Sequence, residues 1–139
     1  LKKIFLSFHY NSSHEYADKI RNCINTTNRY ITYEEEPIHK NSSEDDIKKW
    51  IMKKLEDTTA TILIYDNKIF ESKYVKFELE ESIKRNNKLI VFTFLDDIES
   101  ATENLQKYFP EIPTKKTMLF KLEPEHLSNK IIDILDDNA

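Results

Sequence analysis

The chain has no glycine in its 139 residues. Dinucleotide fingerprints and P-loops need glycine so that backbone can approach phosphate, so both are excluded. A G-x-S-x-G nucleophile elbow is excluded for the same reason. Any nucleotide must be held by side chains and ordinary loop backbone. Turns that require positive φ fall to Asn or Asp, and the candidates are Asn28, Asp66-Asn67 and Asn86-Asn87. Cysteine is nearly absent as well. A lone Cys23, close to Ile20 and Ile24, excludes an internal disulfide and reads as a core thiol of a cytoplasmic protein. The histidines His9, His14, His39 and His126 share no metal-ligand spacing, so no metal is expected. No apolar run approaches the roughly 20 residues of a membrane helix, and no secretory leader is recognised. The net charge of -4 comes from 21 basic and 25 acidic residues with no basic block. Neither a membrane nor a nucleic acid is expected as a partner.

What is present alternates between two patterns. Ile4–Phe8, Tyr30–Tyr33, Thr61–Tyr65, Leu89–Leu95 and Thr117–Phe120 are short apolar or β-rich runs. Thr61–Tyr65 and Leu89–Leu95 show no polar alternation, as expected of central parallel strands covered on both faces. Between the runs lie helical stripes: Tyr16, Ile20 and Ile24; Ile47, Trp50, Ile51 and Leu55; Val75, Leu79 and Ile83; Ala101, Leu105 and Phe109; Leu127, Ile131, Ile134 and Leu135. Ser12 to Glu15 fits a capping box, Ser43 and Ser72 fit N-caps, and Pro124 fits a first helical turn. The polar stretch Glu34 to Ser42, with Pro37, reads as a loop. Five strands alternating with five helices imply one domain over residues 1–139. The fold class is α/β, a three-layer, doubly wound, five-stranded parallel sheet. The flavodoxin-like strand order is chosen because it is common among such sheets.

Tyr74 and Glu78 are four apart and share a helix face beside the Val75 stripe. Helical side chains lean toward the N-terminus, so Glu78 points to where the preceding strand ends. Taken alone, the stretch reads as a solvated glutamate in an acidic run with Glu80 and Glu81. Asp66 and Lys121 stand near the places where a response-regulator receiver carries its phosphorylated aspartate and its lysine. A receiver also needs acidic magnesium ligands after the first strand. That place reads Ser7-Phe8-His9-Tyr10 here, with no acid before Glu15. Asp66 is therefore read as a turn residue.

The Ser7-Phe8-His9-Tyr10 run and the Ser72, Val75, Glu78 pattern together resemble the TIR-like domains of bacterial Thoeris antiphage systems. The second pattern is similar to their Ser-x-Trp-Val-x-x-Glu helix motif, with Tyr74 in place of Trp, and Ser82-Ile83 and Asn87-Lys88-Leu89-Ile90 continue the likeness. The resemblance implies cleavage of NAD between nicotinamide and ribose, with ADP-ribose cyclised into a signal nucleotide in some members. It implies Glu78 as the catalytic residue and Phe8, His9, Tyr10, Ser72 and Tyr74 as substrate-binding residues. NAD is then substrate, and no separate cofactor is implied. The partners implied are self-association or a phage-derived trigger, and an effector reached through the nucleotide signal. The alternative is a non-catalytic TIR-like or receiver-like interaction module.

Overall fold

The computed structural model describes residues 1–34, 42–96, 98–112, 117–123, 125 and 127–138. Pro37, His39, Pro124 and His126 fall outside the described residues. The chain runs β1 (Lys2–Ser7), α1 (Tyr10–Asn25), β2 (Tyr30–Glu34), α2 (Glu44–Leu55), β3 (Thr58–Tyr65), a 3₁₀ turn (Ile69–Glu71), α3 (Val75–Lys84), β4 (Lys88–Thr93), α4 (Ile98–Tyr108), β5 (Thr117–Lys121) and α5 (Leu127–Asn138). The strands form one sheet in the order β2-β1-β3-β4-β5. Every neighbouring pair is parallel. This is the flavodoxin-like order.

Strand periodicity divides the core. Ile4 and Leu6 of β1, Ile62 and Ile64 of β3, and Ile90 and Phe92 of β4 face α1 and α5, where Ala17, Ile20, Ile131 and Leu135 meet them. Leu63, Leu89 and Val91 face α3 and α4 through Val75, Leu79, Ala101 and Leu105. Phe5 faces α2 through Ile47, Ile51 and Leu55. Each face of the central strands is covered, which explains runs without polar alternation. Each large side chain buried there contributes about 1.5–3 kcal/mol. Cys23 is half-buried against the α1 core rather than within it.

Positive φ without glycine falls to Asn28 (59°), Asp57 (64°) and Asn86 (60°). Asn86 closes α3 in a Schellman motif: its N–H donates to the Ile83 carbonyl and that of Asn87 donates to the Ser82 carbonyl, both at 3.0 Å. Asp57 follows Glu56 (φ -55°, ψ 135°) in the turn between α2 and β3. Asp66 and Asn67 keep negative φ.

Two caps differ from the sequence expectation. Ser43 does cap α2, accepting from the Asp46 N–H at 3.1 Å. Ser72 does not cap α3. It ends the 3₁₀ turn instead, and Tyr74 takes the N-cap position without a side-chain bond. The capping box at Ser12 to Glu15 does not form either, because α1 already begins at Tyr10 with His9 before it.

Candidate active site

In this strand order the chain reverses direction across the sheet between β1 and β3. Ligands of open α/β sheets bind beyond the carboxyl ends of the strands at such a point. Ser7 ends β1 there and is fully buried. Its parity with Phe5 turns it toward the α2 and α3 layer. Glu78, in the first turn of α3, is 3 % exposed, and the Ser7 hydroxyl donates to its Oε1 at 3.2 Å. An acidic run on a helix is ordinarily solvated, so this burial corrects the reading of Glu78 as a surface charge. Burying a carboxylate is costly unless it is hydrogen-bonded. Ser7 supplies a donor, and the N-terminal position on α3 supplies the positive end of the helix dipole. Glu81 is also buried, at 9 % exposure, and pairs with Lys84 at 3.2 Å. Only Glu80 of the run stays half-exposed, 4.0 Å from Lys76.

A buried polar chain fixes α3 against β3. Asn87 Nδ2 donates to Thr61 Oγ1 at 3.2 Å, Thr61 and Ser82 hydroxyls lie 2.7 Å apart, and Ser82 donates to the Glu78 carbonyl at 2.7 Å. Since the Ser82 proton goes to that carbonyl, Thr61 is the donor to Ser82. The backbone of Glu78 is thus tied to the central strand at the residue whose side chain meets Ser7.

The other predicted residues divide between the two sides of the sheet. Phe8 packs against the α1 and α5 core, its ring 6.4 Å from that of Tyr10. Tyr10 is half-exposed and stacks on His14 at 5.2 Å. His9 Nδ1 lies 2.7 Å from Ser12 Oγ. Tyr74 belongs to the α2 side, half-buried with Tyr33 and Phe77 against Phe5, Ile47 and Ile51, with Lys73 Nζ 5.6 Å from its ring centre. Ser72 is half-buried at the end of the 3₁₀ turn. The structure therefore joins Ser7 to Glu78 directly and sets Phe8 and Tyr10 on the α1 side of the sheet and Tyr74 on the α2 side.

Asp66 does more than turn the chain. Its Oδ1 accepts from the Lys68 N–H at 2.8 Å, and its Oδ2 accepts from Ser12 at 2.5 Å and also from Ser13. With the Ser12 proton on Asp66, His9 Nδ1 must be the donor to Ser12. The two serines read as caps thus fasten the first helix to the loop after β3. Lys121 pairs elsewhere, with Asp96 at 2.6 Å and Glu123 at 3.3 Å. Its hydrogen bond holds the Asp96 carboxyl below the usual carboxylate range and raises the Lys121 ammonium. Ser7 was part of a motif in the sequence, but its role as partner of Glu78 emerges only from the fold. Ser12, Ser13 and Thr61 carried no functional signal in the sequence, and Ser82 and Asn87 appeared there only as a continuation of the family resemblance.

Sheet order and a buried glutamate at the β1–β3 crevice make this an open, doubly wound α/β domain with a polar site at its switch point. The TIR domains of the activated Roq1 resistosome directly recognizing the pathogen effector XopQ superpose with a TM-score of 0.61 at 13 % identity, over 99 % of this chain and 99 % of that one. No curated protein matches the chain. Residues 5–97 match the family model described as Thoeris protein ThsB, TIR-like domain, and the chain belongs to that family. Membership gives it a TIR-domain role in antiphage defence. Among the described residues no helix is long and apolar enough to cross a membrane.

Proposed function

We propose that the domain cleaves NAD at the bond between nicotinamide and ribose, and that Glu78 is the catalytic carboxylate. The observation that carries the reading is Glu78 itself: buried at the β1–β3 crevice, hydrogen-bonded by Ser7 and held by its backbone to β3. Nicotinamide leaves as a neutral group, so no general acid is required for its departure. Positive charge develops on the ribose, as in glycoside cleavage. A carboxylate fixed in advance stabilises that charge without reorganising. In this reading Phe8, His9, Tyr10, Ser72 and Tyr74 bind the substrate. NAD is the substrate, with no separate cofactor. The ribosyl carbon is then taken by water, releasing ADP-ribose, or by a nucleophile of the same molecule, closing a cyclic signal that reaches an effector; self-association or a phage-derived trigger switches the domain on. The second reading, a non-catalytic interaction module, is favoured by one observation: the Tyr74 ring is occupied in packing against the α2 core.

The test is turnover of NAD by Glu78→Gln, with products separated by chromatography and the trigger present where the wild type needs it. Losing one preorganised electrostatic group costs about 10²–10³ in kcat. Glu80→Gln is the matched control, since Glu80 is half-exposed and pairs with Lys76. Glu81→Gln is no control, because Glu81 is buried. Wild-type turnover in folded Glu78→Gln, or an equal loss in Glu80→Gln, would reject the assignment.

A further inference from the structure

We propose that the domain carries a second site, at the opposite end of the sheet, that binds the phosphates and base of a mononucleotide. A cavity of about 300 Å³ is lined by Lys3, Tyr33, Trp50, Lys53, Lys54 and Glu56. That volume lies at the lower bound of small-molecule pockets, about 300–1,000 Å³. Lys3 comes from β1, Tyr33 from the neighbouring β2, and Trp50, Lys53 and Lys54 from α2. The parallel register sets Lys3 opposite Ile31 and Phe5 opposite Tyr33, so Lys3 and Tyr33 share the sheet face that α2 covers. Lys54 Nζ lies 5.5 Å from the Tyr33 ring centre and 5.1 Å from that of Trp50. Lys3 Nζ lies 5.5 Å from the Tyr33 ring.

The ammonium groups of Lys3 and Lys54 thus lie beside two aromatic rings, and Lys53 joins them in the lining. Among the described residues the acids at the cavity are Glu56, in the lining, and Asp57, 3.9 Å from Lys3. Among those residues the lysines outnumber the acids. Lys53 and Lys54 also complement the C-terminal dipole of α2, which is an ordinary use of lysine. That use does not extend to Lys3 on β1, nor to the two rings that wall an open cavity. Ammonium groups bind phosphate as point charges, and aromatic faces accept a base by stacking. A nucleotide presents both chemistries within the span of one small cavity.

The site is separate from Glu78. Lys3 and Ser7 lie on one strand, about 13 Å apart at the usual rise. Helix α2 runs the other way, and its first residue, Glu44, lies 3.8 Å from Lys73 beside Tyr74. A nucleotide against the last turn of α2 therefore does not compete for the crevice, and the inference stands without the proposed activity.

Trp50 is the only tryptophan in the chain, so its emission reports on this cavity. ADP is the probe, because it lacks the nicotinamide–ribose bond. Titration into the domain at physiological salt is expected to give a saturable change in Trp50 emission. Lys53→Glu with Lys54→Glu is expected to weaken binding by about tenfold or more, two charge-assisted contacts being lost. Lys3→Gln gives a smaller loss in the same direction, while Ser7→Ala binds as the wild type does. Circular dichroism checks that each variant is folded. No saturable change at millimolar ADP overturns the proposal. So does unchanged affinity in both folded lysine variants, loss of binding in folded Ser7→Ala, or adenosine or pyrophosphate alone matching ADP.

Discussion

If Ser7 holds Glu78 in place, the pair must show a coupling energy. The test is a double-mutant cycle of Ser7→Ala, Glu78→Met and the combined variant. Both residues are buried, at 0 % and 3 % exposure, and the bond between them is 3.2 Å. A hydrogen bond to a charged group contributes about 1.5–3 kcal/mol, and 3.2 Å is longer than the usual hydroxyl bond of about 2.5–3.0 Å, so the low end is the upper bound. Glu78 also interacts beyond Ser7, which limits the loss when Ser7 alone is removed. Ser7→Ala is therefore expected to cost about 1.5 kcal/mol, or about 5 °C in Tm for a domain of this length. Glu78→Met leaves the Ser7 hydroxyl without this acceptor. Replacing both partners by apolar groups removes that mismatch. The cycle is expected to give a coupling of about 1–2 kcal/mol, with the double variant more stable than the sum of the single losses predicts. Urea unfolding followed by Trp50 fluorescence measures all four proteins. Additivity within about 0.3–0.5 kcal/mol, the range of independent sites, would refute the pairing.

Three further outcomes are expected. Asn86→Gly removes the cost of a side chain at φ 60° and should raise stability by a few tenths of a kcal/mol, while Asn86→Val should lower it by about 1–2 kcal/mol, read from urea midpoints. Tyr30 is pushed up to about 12, first by burial and then by its hydrogen bond to Asp136, so its phenol stays protonated in the fold where it ionises near 10 in the unfolded chain. The stability it contributes is complete below pH 10 and is lost as the pH rises toward 12; ultraviolet titration should show one late tyrosine, which moves earlier in Asp136→Asn. Asp66→Ala removes the acceptor for Ser12, Ser13 and the Lys68 N–H, and should speed amide exchange at the start of α1, with a stability loss of about 1–3 kcal/mol.

The alternation of elements was legible because its causes are local. The β3 and β4 runs have no alternation since both faces are covered, and the α5 stripe of Leu127, Ile131 and Leu135 shows helical spacing within one segment. Asn28 and Asn86 were legible as turn residues, whereas Asp57 was hidden among charged neighbours. The start of α3 was not legible at Ser72, because the 3₁₀ turn before it uses that residue as its own terminus. The capping box failed for a related reason: Ser12 and Ser13 bond Asp66, more than fifty residues away, and no local window contains that competitor. Glu78 stood in the motif, but its bond to Ser7 joins α3 to β1 across 71 residues. In a run with Glu80 and Glu81, only the packing of α3 decides which glutamate faces inward.

The order β2-β1-β3-β4-β5 puts β1 inside the finished sheet, between β2 and β3. During synthesis β1 and β2 leave the ribosome before β3, the strand that covers the inner edge of β1. That edge stays open until β3 appears, and an open edge is where a nascent chain goes astray. Ser7 and Glu78 are 71 residues apart, so at ordinary elongation rates the second follows the first by roughly 4–14 s. The carboxylate and its donor therefore meet only after the vulnerable edge has been sealed by β3. A nascent fragment that ends before α3 can carry the whole Ser-Phe-His-Tyr run and still lack the buried charge.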